Sequence, residues 1–112
     1  MVFTFKYQSL KSSHPIEVKV NSPEEISQIF DSISYCKGSS IIRMLNSFIG
    51  PKKFVKGLQN YLNKFKYKNA TTDDLWNELN KSSNLDVKSL MRNWTLCEGY
   101  PLVTVIFFRC IF

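Results

Sequence analysis

The sequence FDSISYCKGSSIIRML, residues 30–45, combines the apolar pattern of a buried helix with four residues that interrupt it. The apolar residues that suit a buried helix are Ile33, Ile41, Ile42 and Leu45. The interrupting residues are Tyr35, Cys36, Lys37 and Gly38. A glycine inside a helix costs about 1 kcal/mol relative to alanine, so Gly38 indicates that another group approaches the backbone closely. A tyrosine with an exposed hydroxyl is a neutral donor that can stabilise an oxyanion, although packing at a helix edge explains Tyr35 without any chemistry.

Helix start signals on both sides of this stretch predict a mainly α fold of short antiparallel helices. Caps, prolines at the first helical position and acidic first turns mark where each helix begins. These signals are Ser22 with Pro23 and Glu25 as a capping box, Gly50–Pro51, Thr71 or Thr72 followed by Asp73 and Asp74, and Asp86. After the first of them, Ile26, Ile29, Phe30 and Ile33 continue at helical spacing.

The two ends of the chain have a different pattern. Residues 1–21 are predicted to be an extended segment or short strand, because Ile16, Val18 and Val20 alternate with charged residues. Residues 100–112 are strongly apolar and rich in β-branched residues, but too short to span a membrane, which needs about 20 residues. We expect a C-terminal strand or buried tail there, and the helical region between the ends covers residues 22–99.

Composition excludes several classes of protein. With 112 residues, 44% of them hydrophobic, the chain is the size of one domain and too apolar to be disordered. The net charge of +6 includes six lysines without an acid between residues 51 and 68. The same stretch lacks arginine and any nucleic-acid motif, so we expect a solvated helix face and no nucleic acid. A helical interaction module that binds an acidic partner through this basic helix is the alternative function.

Few residues could carry catalysis. His14 is the single histidine, so the chain cannot form a HExxH zinc helix, and a turn or packing role is expected for it. The cysteines are odd in number and contain no CxxC pair, which argues against a disulfide framework and a cysteine zinc site: Cys36, Cys97 and Cys110. Their free state favours a reducing, cytoplasmic location.

Three stretches resemble consecutive parts of the zinc aminopeptidases of the puromycin-sensitive and alanyl aminopeptidase type, which are gluzincins. They are SSHPIEVKVNSPEEISQIFDSISYCKGSSIIRML, FIGPKKFVKGLQNYLNKFKYKNATTDDLWNEL and VKSLMRNWTLCEGYPLVTV, and together they cover roughly residues 10–105. The resemblance implies the helical second half of a thermolysin-like catalytic domain. It also implies that GYPLVTV leads into a β-sandwich domain, from which the tail IFFRCIF departs.

The resemblance gives Tyr35 a specific role. Tyr35 occupies the tyrosine of the family's Y-x-K-G pattern, which donates a hydrogen bond to the tetrahedral intermediate when zinc-activated water attacks a peptide bond. Lys37 and Gly38 are expected to support it. The family's zinc motif and its GxMEN motif are absent from this sequence, so we expect a fragment that binds no zinc itself and is inactive alone. Its parent enzyme would use zinc, act on peptide substrates, and be cytoplasmic, membrane-anchored or secreted.

Overall fold

Helices make up the regular structure of the described part of this chain. The computed structural model describes residues 13–101 and 104–106. Its helices are α1 (Pro23–Ile26), a 3₁₀ turn (Ser27–Ile29), a π-helical turn (Ile33–Lys37), α2 (Gly38–Ile49), α3 (Pro51–Lys64), α4 (Thr72–Ser83) and α5 (Val87–Thr95). The predicted mainly α fold is confirmed, and none of these helices is long and apolar enough to cross a membrane.

No strand forms within the described part of the chain. Residues 13–21 have no regular secondary structure apart from a bend at residues 16–17, so the short strand that the alternation allowed is not seen there. Pro101 and residues 104–106 have no regular secondary structure, so the C-terminal strand is not seen there. The remaining positions of that predicted strand, residues 102–103 and 107–112, lie outside the described residues.

Local capping chemistry starts α4 and α5 where the sequence predicts. Thr71 and Asp74 form a reciprocal capping box, in which each side chain accepts from the other residue's backbone N–H. Asp86 caps α5, because its carboxylate accepts from the Ser89 N–H at 3.1 Å. Gly50, with a φ of 89°, ends α2 and lets Pro51 begin α3 after a single linking residue.

The first predicted helix is much shorter than its apolar spacing indicated. It begins at Pro23 as expected, but α1 ends at Ile26 and continues only as a 3₁₀ turn. The Ser22 side chain makes no capping bond, and Glu25 accepts instead from the Asn21 N–H at 2.9 Å. Ile26 and Phe30 are 47% and 64% exposed. Since helices this short depend on packing, the lack of a buried face explains the early end.

One core joins α2 through α5. Its buried side chains are Ile41, Leu45, Ile49, Phe54, Trp76, Leu79, Val87 and Met91. Ile16 of the extended segment packs against this core, and the Glu17 N–H donates to the Thr95 carbonyl oxygen at 2.9 Å. The extended segment is therefore attached to the end of the last helix.

Helices α3 and α4 make the most extensive contact and run antiparallel. Lys53 near the start of α3 donates to the Ser83 carbonyl oxygen at 3.4 Å, and Lys64 at the end of α3 reaches Glu78 at 2.8 Å. Gly57 lies at the crossing, where a Cβ would be 2.7 Å from Leu79 Cδ2 and 3.3 Å from Leu79 Cα. Close helix approach therefore requires glycine at position 57, which the sequence pattern did not indicate.

Candidate active site

Tyr35 lies on the π-helical turn that precedes α2. The sequence predicts an ordinary helix through this stretch, whereas residues Ile33–Lys37 adopt the wider π form, which is frequent at functional sites. The turn buries Ile33 and Lys37 and exposes Tyr35 and Cys36, so that Tyr35 is 64% exposed. Its ring lies 6.4 Å from the Phe30 ring, centroid to centroid. The phenol is therefore accessible from solvent.

A shallow apolar cleft of about 310 Å³ lies beside the Tyr35 side chain. Its wall is made by residues of the extended segment, the 3₁₀ turn and the π-helical turn, which are Ile16, Ile29, Phe30, Ser34 and Tyr35. A tyrosine hydroxyl at the edge of an apolar, open depression can donate to a polar group of a molecule that lies there.

Lys37 is directed away from solvent and holds the C-terminal segment. Its side chain is 0% exposed, and its Nζ donates to the Cys97 carbonyl oxygen at 3.0 Å. The Nζ also lies 5.9 Å from the centre of the Tyr100 ring. Burial lowers the pKa of Lys37, and the nearby Cys97 and Glu98 offset part of that effect. Lys37 thus connects the SYCKG and CEGYP stretches, which are 60 residues apart.

Gly38 does not show the close approach that its place in a helix predicted. Its φ and ψ of −56° and −51° are those of any helical residue, and a Cβ there would meet no described atom within 4 Å. Gly38 instead borders an open cleft of about 380 Å³ that also touches Ile41 and Trp76. Its supporting role at the site stays a prediction, because nothing within the described chain requires a glycine at this position.

Asp31 and His14 belong to the same site, and sequence reasoning assigned neither to it. The Asp31 Oδ1 accepts from the Ser34 N–H at 2.9 Å, and the Asp31 carbonyl oxygen accepts from the Tyr35 N–H at 3.1 Å. The His14 Nε2 lies 3.0 Å from the Asp31 Oδ2. The only available signal was that both residues lie in SSHPIEVKVNSPEEISQIFDSISYCKGSSIIRML, the first stretch that resembles the family.

The remaining sequence candidates are the cysteines and the basic stretch. Cys36 and Cys97 are free and exposed, while Cys110 lies outside the described residues. Within residues 13–101 and 104–106, no group of three or more histidine, cysteine or acidic side chains is placed to hold a metal ion. The basic stretch is partly used within the fold, since Lys53 and Lys64 bond to α4.

Comparison with known proteins identifies the family. The model of the peptidase family M1 domain matches residues 1–94. The chain belongs to peptidase family M1. Over 97 residues this M1 chain is 56% identical to the alanine/arginine aminopeptidase of Saccharomyces cerevisiae and 57% identical to the glutamyl aminopeptidase of Rattus norvegicus. It is 52% identical over 97 residues to the probable aminopeptidase 2 of Sulfurisphaera tokodaii.

These matches cover most of this chain but a small part of each relative. Each covers 87% of this chain, but only 11%, 10% and 12% of the three relatives in the order given. The chain therefore spans about a tenth of the length of the relatives it matches. The resemblance to aminopeptidases that the sequence motifs indicated is confirmed.

Proposed function

We propose that this M1 chain is part of a zinc-dependent aminopeptidase that removes amino-terminal residues from peptides, and that Tyr35 is its contribution to catalysis. The observation that carries the proposal is the position of Tyr35, exposed on a π-helical turn beside an apolar cleft. The aminopeptidase names of the M1 relatives support the reaction class.

The chemistry available to Tyr35 is hydrogen-bond donation. A tyrosine phenol carries its proton at neutral pH and is both donor and acceptor. When a nucleophile attacks a peptide carbonyl, the carbonyl oxygen gains negative charge, and a positioned donor stabilises that charge more than it stabilises the ground state. This role needs no nearby base, because a hydrogen-bond donor stabilises the oxyanion without transferring its proton.

The zinc ion of such an enzyme would be held by residues other than those described. The sequence contains no HExxH, and residues 13–101 and 104–106 offer no cluster of metal ligands. The described residues therefore do not fit a zinc site. It follows from the missing motif that the 112-residue chain alone should not turn over peptides.

The test is Tyr35→Phe in the zinc-loaded aminopeptidase that contains this stretch. Removing one oxyanion donor is expected to lower kcat about 10²–10³-fold, with KM nearly unchanged because the lost interaction belongs to the transition state. Tyr67→Phe is the matched control, because Tyr67 is 95% exposed in the loop between α3 and α4. Equal turnover in the Tyr35 variant and the control would refute the role.

A second measurement uses the isolated chain. With an aminoacyl arylamide and added zinc, the 112-residue chain is expected to release no arylamine above the rate in buffer. Release of arylamine that a chelator abolishes would contradict the proposal that the zinc ligands lie outside this chain.

The alternative, a helical module that binds an acidic partner, is favoured by the exposure of all six lysines of the basic stretch, of which Lys52, Lys56, Lys66 and Lys68 make no hydrogen bond to α4. Binding of that kind weakens steeply with salt. It would also be reduced by Lys52→Glu and Lys56→Glu and left unchanged by Tyr35→Phe.

A further inference from the structure

His14 links the extended segment to the turn that carries Tyr35. Its Nδ1 lies 2.7 Å from the Pro15 carbonyl oxygen and its Nε2 lies 3.0 Å from the Asp31 Oδ2. A carbonyl and an ionised carboxylate both accept, whereas a neutral imidazole has one N–H. Only the imidazolium, in which both ring nitrogens donate, satisfies both contacts.

The charges around this pair favour the ionised forms. The hydrogen bond to Pro15 raises the pKa of His14 most, burial opposes it, and the Asp31 and Glu98 carboxylates add to the increase. Burial would raise the pKa of Asp31, but the Ser34 N–H and His14 outweigh it and the pKa is lowered. The side chains are 24% and 36% exposed, so solvent screens their attraction. The pair therefore contributes little to the free energy of unfolding, and its main effect is to fix the position of Asp31.

Asp31 connects His14 to the π-helical turn. Its carboxylate and its carbonyl oxygen accept from the Ser34 and Tyr35 N–H groups, while the Ser32 side chain makes no capping bond. Tyr35 is largely exposed, so side-chain packing restrains its ring weakly and the backbone of the turn determines where the phenol lies.

The other end of the link is fixed independently. Ile16 packs against the helical core and the Glu17 N–H is bonded to Thr95, so His14 comes from an anchored segment. We propose that His14 is a positioning residue for Tyr35, which acts by holding the Asp31 carboxylate that caps the turn. The catalytic part of this proposal rests on the function proposed above for Tyr35.

The coupling is measurable by NMR on the chain itself, because His14 is its only histidine and its ring signals are unambiguous. The imidazole is expected to titrate above its ordinary value of about 6.5, and the Ser34 and Tyr35 amide shifts should follow the same midpoint. Above that midpoint the imidazole loses its charge and with it the charge-assisted contact to the Asp31 carboxylate. The protection of these two amides from hydrogen exchange, corrected for intrinsic rates, should then fall about tenfold, the scale of one hydrogen bond to a charged group.

Three variants test the link. His14→Leu should lower protection of the Ser34 and Tyr35 amides about tenfold at pH 6, while the Leu58 amide in α3 stays protected. His14→Gln keeps a donor without a titration, so the pH dependence of the two amides should disappear. Lys19→Gln is the control, since it changes one exposed charge in the same segment.

The proposal is overturned if the Ser34 and Tyr35 amides do not sense the His14 titration, or if His14→Leu leaves their protection unchanged. The wild-type titration and His14→Gln decide the matter even if His14→Leu does not fold.

Activity separates this proposal from the function on which it rests. In the zinc-loaded enzyme, His14→Leu should lower kcat about tenfold with KM unchanged, less than the hundredfold that a displacement of about 1 Å can cause. If Tyr35→Phe has no effect on turnover, the proposed function fails while the NMR coupling stands. If Tyr35→Phe abolishes turnover but the amides show no coupling, only the role of His14 fails.

Discussion

Gly57→Ala and Gly38→Ala make the same chemical change in two helices and should alter stability in opposite directions. At Gly57 the added methyl would lie 2.6 Å from Ser82 Oγ and 2.7 Å from Leu79 Cδ2. Ser82 can rotate away, but Leu79 is 0% exposed and its Cα, 3.3 Å from the methyl, belongs to the backbone of α4. The two helices must therefore separate or Leu79 must leave its rotamer.

The magnitude follows from two opposing effects. Overpacking a well-filled contact costs about 1–3 kcal/mol, while replacing a helical glycine by alanine contributes about 1 kcal/mol. For Gly57→Ala the net result is a loss of about 1 kcal/mol. Gly38 has helical dihedrals and no described atom within 4 Å of the new methyl. Gly38→Ala should therefore keep the helical gain and raise stability by about 0.5–1 kcal/mol.

Urea unfolding followed by far-UV circular dichroism and tryptophan fluorescence measures both changes. The midpoint should fall for Gly57→Ala and rise for Gly38→Ala, with the same dependence on urea as the wild type. If Gly57→Ala is at least as stable as the wild type, the inference that α3 and α4 are too close for a side chain at position 57 is wrong. If Gly38→Ala destabilises, a group outside the described residues contacts position 38.

Two further predictions concern pH. Burial lowers the pKa of Lys37 in the folded chain. Between that lowered pKa and the ordinary value of about 10.4, the unfolded chain binds more protons than the folded chain. The stability of the wild type relative to Lys37→Met should therefore rise with pH in this window. Hydrogen bonds from Lys64 and Lys81 lower the pKa of Glu78. The stability that the wild type has over Glu78→Gln should therefore be largest above about pH 4.3 and should decline as the pH falls through the lowered pKa. Thermal unfolding across pH measures both, and parallel curves for variant and wild type would contradict either prediction.

Features fixed by neighbouring residues were predictable from the sequence. The cap at Thr71, one of the two threonines that the sequence offered, the Asp86 cap and the Gly50–Pro51 break each depend on residues within four positions, and all three occur. The length of α1 was not predictable in the same way, because it depends on whether Ile26 and Phe30 find a surface to pack against.

The candidate site depends more on distant contacts. Local spacing could not choose between Gly38 and Gly57 as the close-contact glycine, since the answer lies in α4. The links from His14 to Asp31 and from Lys37 to Cys97 join residues 17 and 60 positions apart. Periodicity identified Tyr35 only as an awkward residue, and its proposed role came from resemblance to a family.

The hydrogen bond between Glu17 and Thr95 brings the two ends of the helical region side by side. A region with adjoining ends is topologically self-contained, which is the arrangement that tolerates insertion into another chain. His14 lies just before this pair of ends and Cys97 just after it, and both contact the turn of Tyr35, through Asp31 and Lys37. The entering and leaving segments therefore contact the same turn near its two ends. A shift of either segment would move the turn that carries Tyr35.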